Sequence, residues 1–506
     1  ISGGLVGSEM CIRDRKYMMK KNFDCIVIGY GPVGALLSIF LSKLGLSVAV
    51  IDKNLDVYPL PRAIHFDEEV MRIFQMVNLS KQISNISRIG TKGMHFVDEE
   101  DNILMERKGS NSIGEFGWQK SWYFHQPQLE RLLRSNAEKE KNFVSFLGYE
   151  TQKINQDSDL VTVTSYSKSL KKELVLKSKY LVGCDGANSN TSDFIGQGVK
   201  DYGLKEKFLV LDLIVDNRYK NVKNLPDYTV QHCDKLRPVT RCYINKKRRR
   251  WEVKILPSDN EDEFLKSKTI WKFLSKWIDK KSAKIERSQL YTFRSILKKK
   301  WFKNRVILAG DSAHLSPPFL GQGMCAGIRD VAALAWRLKG YASNKLSADD
   351  LVNYQAERFP HVSAFIKLAA EVGKIMSNPG LLMKSEKSQS MRLFDFPKPR
   401  LKTGFFYKCS LSGTLFPQFT EDSKKSDDTL GYKFILLVLE NNACSEVDMD
   451  SNVLTKKVAK GSLRNWIIKS KKEAVIIRPD KYIFGSASSK KEVKSLLNCF
   501  SHTYRV

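Results

Sequence analysis

Residues 23–53 read FDCIVIGYGPVGALLSIFLSKLGLSVAVIDK, and the order of residue types in this stretch decides the fold. Cys25 to Ile28 is a short apolar run suited to a buried parallel strand. Gly29-x-Gly31-x-x-Gly34 follows at once. In such a turn the first glycine permits the sharp reversal. The second lets a pyrophosphate approach the backbone, and the third lets the helix pack close on the strand. The helix that opens here directs free N–H groups and a positive dipole end at phosphates. Gly45 suits a helix C-cap, Ser47 to Ile51 reads as a second strand, and Asp52 at its tip can accept hydrogen bonds from a ribose diol. Strand, turn, helix, strand and acid stand in the order a dinucleotide fingerprint requires. Taken alone, the fingerprint suits NAD and FAD equally.

The surrounding composition sets the bounds. The 506 residues suffice for two or three domains. Lysine and arginine total 84 against 55 acids, a formal net charge of +29. The charge is spread out, with small clusters such as Lys246–Arg250, and none is interleaved with stacking aromatics, so no specific nucleic-acid partner is expected. A solvated basic surface that gathers anionic substrates is the expected reading. No apolar run is long enough for a membrane span. The nine cysteines contain no CxxC, which argues against a disulfide framework or a metal site and for a reducing, cytoplasmic location. Residues 1–20 have no continuous apolar segment and read as a non-native or disordered leader, with the native start expected at Met18 or Met19.

Further along, Arg62 could pair with a phosphate, and His65 could face a ligand or sit in a polar turn. Gln126 precedes an amphipathic helix, where its amide could contact a cofactor. Tyr180–Gly198 holds a second chemical stretch: a buried strand runs into Asp185-Gly186, which suits a ribose or a second nucleotide, or an ordinary strand-to-helix turn. Residues 209–251 read as strands of a β-rich insertion. The third stretch, RVILAGDSAHLSPPFLGQGMCAGIRD (305–330), is a buried strand ending in Gly310-Asp311. Asp311 can bind a ribityl or ribose hydroxyl there, and His314 reads as a loop-holder. The Pro318, Gly321, Gln322, Gly323 loop opens a second helix N-terminus, suited to a flavin carbonyl or a phosphate. Ser347-x-x-Asp350 resembles a capping box opening a long helix kinked at Pro360. Residues 384–402 read as a linker, and the β/α pattern after Phe405 suggests a small thioredoxin-like unit without CxxC.

The Gly29 fingerprint, Asp185-Gly186 and Gly310-Asp311, in that order, resemble the class A flavoprotein aromatic hydroxylases. Six stretches resemble the 3-(3-hydroxyphenyl)propanoate hydroxylase group more closely: PRAIHFDEEVMRIFQ, RPVTRCYINKKRRRWEVKILP, YTFRS, GDSAHLSPPFLGQGMCAGIRD, GTLFPQF and AVIIRPDKYIFG. The resemblance implies that Gly29, Gly31 and Gly34 hold the FAD pyrophosphate and Asp52 the adenosine ribose. Arg62 and Gln126 then match positions that contact FAD. Asp185 and Gly186 form the motif shared between FAD and NAD(P)H, Gly310 and Asp311 bind the ribityl region, and the Pro318–Gly323 loop lies against the isoalloxazine ring. This chain departs from the pattern at Asp52, where Glu is usual, and at Asn190-Thr191-Ser192, where the usual arginine is missing. It departs again at Ile64, which stands where phenol hydroxylases carry an aspartate; His65 beside it is the candidate catalytic base.

The expected fold is α/β (α+β overall). A Rossmann-like FAD-binding domain is split over 21–200 and 295–383, with a β-rich substrate domain inserted at 201–294. A thioredoxin-like domain at 403–506 follows the linker. The expected function is an FAD-dependent monooxygenase that consumes NADH or NADPH and O2. It would hydroxylate a phenolic aromatic acid through a flavin C4a-hydroperoxide, as a homodimer, with Arg241 and Arg294 as guesses for the substrate's counter-ion. Two alternatives stand beside it: another FAD-dependent oxidoreductase or epoxidase on the same scaffold, and a basic binding protein with a relict flavin fold.

Overall fold

A computed structural model describes residues 21–505 except 60–61, 197, 235–236, 348–349, 378–399, 422 and 441–452. The expected leader and nearly all of the expected linker lie outside the described residues.

In chain order the elements that position the site begin with β1 (Asn22–Ile28), α1 (Pro32–Lys43), β2 (Val48–Asp52), α2 (Gln126–Ala137), β3 (Phe143–Leu147) and β4 (Lys172–Gly183). Next come β5 (Val199–Val215), β6 (Thr229–His232), β7 (Val239–Asn245), β8 (Arg248–Lys254), α3 (Ser267–Leu274), β9 (Ala283–Lys298) and β10 (Val306–Leu308). Two long helices follow, α4 (Gly323–Ala342) and α5 (Leu351–Ser377, with Pro360 inside). The chain ends with β11 (Ile435–Leu439), β12 (Leu454–Val458), α6 (Gly461–Lys469), β13 (Ala474–Ile477), β14 (Ile483–Ala487) and α7 (Lys490–Thr503).

The first sheet is built on five parallel strands in the order β10-β4-β1-β2-β3. Its central strands are covered on both sides, and accordingly β2 (VAVID) is buried along its whole length. Helix α1 packs Leu36, Leu37, Ile39 and Leu41 into the core, each fully buried and each contributing about 1.5–3 kcal/mol of transfer free energy. The register aligns Ile28 with Ile51 and with Gly183, and Gly183 with Leu308. The glycine turn, Asp52, Asp185 and Gly310-Asp311 therefore stand side by side just past the carboxyl ends of adjacent strands, where open α/β sheets bind ligands.

The second sheet has eight strands in the order 314–315, β9, β5, β8, β7, β6, 94–97, 103–107. Its longest strands begin at Val199 and end at Lys298, and two strands from before residue 110 complete its edge. The two faces of this sheet differ. Leu209, Leu211 and Leu213 of β5, with Trp251 and Val253 of β8, pack against Ile270 and Leu274 of α3. The opposite face, with Phe208, Val210 and Asp212, turns toward the first sheet.

The C-terminal unit is a sheet in the order β12-β11-β13-β14, with β11 and β12 parallel and the other pairs antiparallel. Buried ion pairs fasten it to the rest: Arg72 to Asp427 at 2.6 Å, and Arg478 to Glu357 of α5 at 2.8 Å.

Candidate active site

Gly29 has φ +97°, and a Cβ there would collide with the carbonyl of Cys184 just past β4. A Cβ on Gly34 would collide with the Gly29 carbonyl. Both glycines are thus demanded by the backbone alone. Gly31 differs: it is the N-cap of α1, has no side-chain cap, and a Cβ on it would meet nothing within 4 Å. The first-turn N–H groups of α1 therefore face open space with no side-chain acceptor from the N-cap, an arrangement suited to a phosphate.

Asp52 reaches back to this turn: its Oδ2 accepts the Tyr30 N–H at 2.6 Å. Arg134 closes the other side, donating to the Tyr30 carbonyl at 2.9 Å with its guanidinium over the Tyr30 ring.

Asp185 is committed to protein groups. One oxygen accepts the Ser189 hydroxyl at 2.6 Å; the other accepts the Thr191 N–H and hydroxyl, each at 3.1 Å. Burial still pushes its carboxyl above the usual range. Beside it, Gly186 has φ +81° and open space around it. Gly310, with φ +69°, packs on Val33 of α1. Asp311 is exposed to solvent, yet crowding by protein raises its carboxyl, opposed by His314 and by Arg62. An open acid within a protein-lined recess is what a ribityl chain would meet. His314 does hold the loop, with Nε2 at 2.7 Å from Asp330, whose same oxygen accepts the Gly310 N–H at 3.0 Å.

Two of the expected contact residues hydrogen-bond to protein groups. The Gln126 amide oxygen accepts the N–H groups of Arg62 (2.9 Å) and Ala63 (2.6 Å), so it fixes the segment that presents Arg62. Gln322 turns inward, donating to Asp67 at 3.1 Å and accepting from Arg329 at 3.0 Å. Arg329 in turn joins Asp67 and Glu69, each at 2.6 Å. Both glutamines shape the cleft from behind, because buried amides must satisfy their hydrogen bonds within the protein. Pro318 opens a short 3-10 turn ending at Gly321 (φ +64°), and Gly323, which begins α4, has open space beside it. His65 lies against this loop, close to Gly321, with Nε2 at 2.9 Å from the Ser121 hydroxyl. Burial pushes its imidazole down to about 4, so it is neutral at ordinary pH and a weak base.

Arg241 pairs in register with Trp251, on the face packed against α3, where it donates to His232 at 2.7 Å and lies over Trp277. Arg294 follows Phe293 on β9 and so projects to the opposite side from it. A group of aromatic residues beside the 318–320 turn was missed. Phe208, Phe293, Tyr291 and Phe319 form an aromatic wall, with ring centroids 5.5–6.1 Å apart, running from the 318–320 turn onto the second sheet. Beside it Asp212 is buried between Arg250 at 2.8 Å and Arg287 at 2.5 Å, and Arg250 also donates to the Arg62 carbonyl at 2.8 Å. The alternation Arg248-x-Arg250-x-Glu252-x-Lys254, out of phase with Trp251 and Val253, was the sequence signal for this polar face.

The open spaces at Gly31, Gly186 and Gly323, the uncapped helix α1 and the solvent-facing Asp311 together fit FAD laid across the carboxyl ends of β1, β4 and β10. Such a cleft, roofed by a second sheet, defines a flavoprotein of the aromatic-hydroxylase class. The family described as FAD binding domain matches residues 22–369, and the chain belongs to it. Among its relatives is a protein of Rhodococcus jostii named probable NADH-specific resorcinol 4-hydroxylase, 28% identical over 94% of both chains. A 3-(3-hydroxy-phenyl)propionate/3-hydroxycinnamic acid hydroxylase of Burkholderia cenocepacia is 29% identical over 69% of this chain and 63% of that protein. Among solved structures, aklavinone-11 hydroxylase with FAD and aklavinone shares the fold, with TM-score 0.81 and 17% identity over 96% of this chain and 99% of that one. No helix among the described residues is long and apolar enough to cross a membrane.

Proposed function

We propose that this protein is a monooxygenase that hydroxylates the ring of a small phenol, using bound FAD, NADH or NADPH, and O2. The observation that carries the reading is the convergence of the three motif loops on one cleft beneath an aromatic wall. Gly31 and the N-terminus of α1 would hold the pyrophosphate. Asp52 would meet the adenosine ribose, Asp311 the ribityl chain, and the Pro318–Gly323 loop the flavin ring. Bound FAD supplies electron transfer from the nicotinamide and activation of O2. Phe208, Tyr291, Phe293 and Phe319 would clamp the substrate ring and keep water out. Asp185 serves as a positioning residue, holding the turn beside the nicotinamide approach.

On the cleft-facing side Arg248, Arg250, Arg287 and Lys254 each already face a carboxylate, which favours an uncharged phenol such as resorcinol. A phenolic acid of the 3-(3-hydroxyphenyl)propanoate type is the second reading, supported by exposed Arg62 at the cleft. A panel of both substrates, scored for hydroxylated product as well as NAD(P)H loss, separates them. Product from resorcinol and none from the acid is expected; oxidation of NAD(P)H without product from any phenol would turn the reading toward another FAD-dependent oxidoreductase.

The reading extends to a cytoplasmic homodimer whose C-terminal unit is a thioredoxin-like domain. Its strand order β12-β11-β13-β14 supports the last point, and light scattering on the purified protein tests the dimer.

A further inference from the structure

Four charged side chains leave β8 on the side facing the cleft: Arg248, Arg250, Glu252 and Lys254. Three have a close partner: Arg248 with Glu286 at 2.7 Å, Arg250 with Asp212 at 2.8 Å, and Lys254 with Glu206 at 2.9 Å. Glu252 shares its partner: the Arg250 guanidinium also hydrogen-bonds to it. The cation within ion-pair distance of it, among the described residues, is Arg250 at 3.5 Å, and that guanidinium already serves Asp212 and the Arg62 carbonyl.

The register neighbours of Glu252 do not complete its shell. Val210 is apolar, and Thr240 donates its hydroxyl proton to Gln231 at 2.5 Å. The Glu252 side chain keeps 13% of its surface open. Trp251 and Val253 pack on the other face of β8, and Arg250, on the same face as Glu252, reaches the Arg62 carbonyl, so Glu252 lies on the side turned toward the 62–63 segment. A largely buried carboxylate whose one cation is shared with Asp212 keeps acceptor capacity free on its open side, where a ligand hydroxyl could use it.

We propose that Glu252 accepts the proton of the substrate's phenolic O–H; this assignment rests on the hydroxylase reading above. The phenol O–H bond breaks and an O–H bond forms on the Glu252 carboxylate. The electron pair stays on the phenolate oxygen, which raises electron density at the ring carbon to be oxygenated. Arg250 and Arg287, both close to Glu252, stabilise the negative charge. The charged and titratable groups around Glu252 are Arg250, Asp212, Arg287 and the Cys242 thiol on β7. Burial raises the Glu252 carboxyl, opposed mainly by Arg250, and a base of raised pKa accepts a phenolic proton more readily.

The test compares wild-type and Glu252→Gln holoenzymes in two measurements. Ligand affinity, read from the flavin absorption band, is followed against pH for resorcinol and for its dimethyl ether. In the wild type, affinity for resorcinol falls as acidification protonates Glu252, while affinity for the ether does not; in the variant that acid limb is gone. Turnover of resorcinol falls by about 100-fold or more in the variant and recovers to within about tenfold of wild type with a fluorinated phenol already ionised at the assay pH. An acid limb that survives in Glu252→Gln, or equal loss with both phenols, overturns the assignment. Should Glu252→Gln not retain FAD, Glu252→Asp must keep the acid limb with reduced turnover, and its loss there is equally contrary. A wild type that hydroxylates no phenol removes the hydroxylase reading itself, an outcome distinct from a hydroxylase indifferent to Glu252.

Discussion

The backbone N–H of Tyr30, in the middle of the glycine turn, donates to Asp52 Oδ2 at 2.6 Å. The other carboxylate oxygen takes the N–H of Asn54 at 2.7 Å and its amide at 3.0 Å. The acid at the tip of β2 thus holds the glycine turn, which under the proposed function would hold the pyrophosphate. Asp52→Ala would free the Tyr30 N–H and loosen that turn. Titration of apoprotein with FAD should show affinity weakened by about ten- to a hundredfold, from the loss of charge-assisted hydrogen bonds. Asp52→Asn, which keeps one acceptor, should lose less.

Gly29 and Gly31 separate folding from binding. An alanine at Gly29 meets the Cys184 carbonyl and sits at φ +97°, so Gly29→Ala should lower the unfolding midpoint of the apoprotein. An alanine at Gly31 meets no protein atom within 4 Å, so Gly31→Ala should fold normally and lose FAD. Thermal unfolding of the apoproteins and FAD titration read the two effects independently.

These glycines were legible in the sequence because turn geometry and phosphate chemistry are written in adjacent residues. The three cofactor-facing stretches follow for the same reason, each being a strand end and the loop after it. The union of the edge strands at 94–97 and 103–107 with β6 joins segments more than a hundred residues apart, which no local pattern encodes. The faces on which Arg241 and Arg294 stand were not legible, because a strand residue's face depends on register, and a shift of one residue reverses it. Where the amides of Gln126 and Gln322 point is set by Arg62, Asp67 and Arg329, distant in sequence.

Acid should destabilise the protein through His65. Its pKa is near 6.5 in the unfolded chain and about 4 in the native one, so between these values the unfolded state holds the proton and the native state does not. The stability tied to neutral His65 is present above pH 6.5 and is lost as pH falls toward 4. His125, also pushed down to about 4 by burial, acts in the same window and direction. Urea unfolding across this range should show a shallower pH dependence in His65→Gln than in wild type.

Arg478 ties the C-terminal unit to α5. It meets Glu357 through two nitrogens at 2.9 and 2.8 Å, Asp480 at 2.6 Å, and the Phe405 carbonyl at 3.0 Å, all buried. Arg478→Met takes from Asp480 its ion pair and from Glu357 one of two, leaving buried negative charge undercompensated, so it should cost about 3–5 kcal/mol in denaturant unfolding. Glu357 keeps Arg337 at 2.7 Å, so the double variant Arg478→Met, Glu357→Gln would leave that arginine stranded in turn and should not restore stability.

The central claim is that this cleft couples FAD to oxygen insertion into a phenol ring. Holoenzyme mixed anaerobically with NADH, with and without resorcinol, and then exposed to oxygen-18 gas tests it most directly. The account predicts that the flavin band bleaches faster with the phenol present and that the hydroxylated product carries one oxygen-18 atom. Bleaching indifferent to the phenol, together with no labelled product, would contradict it.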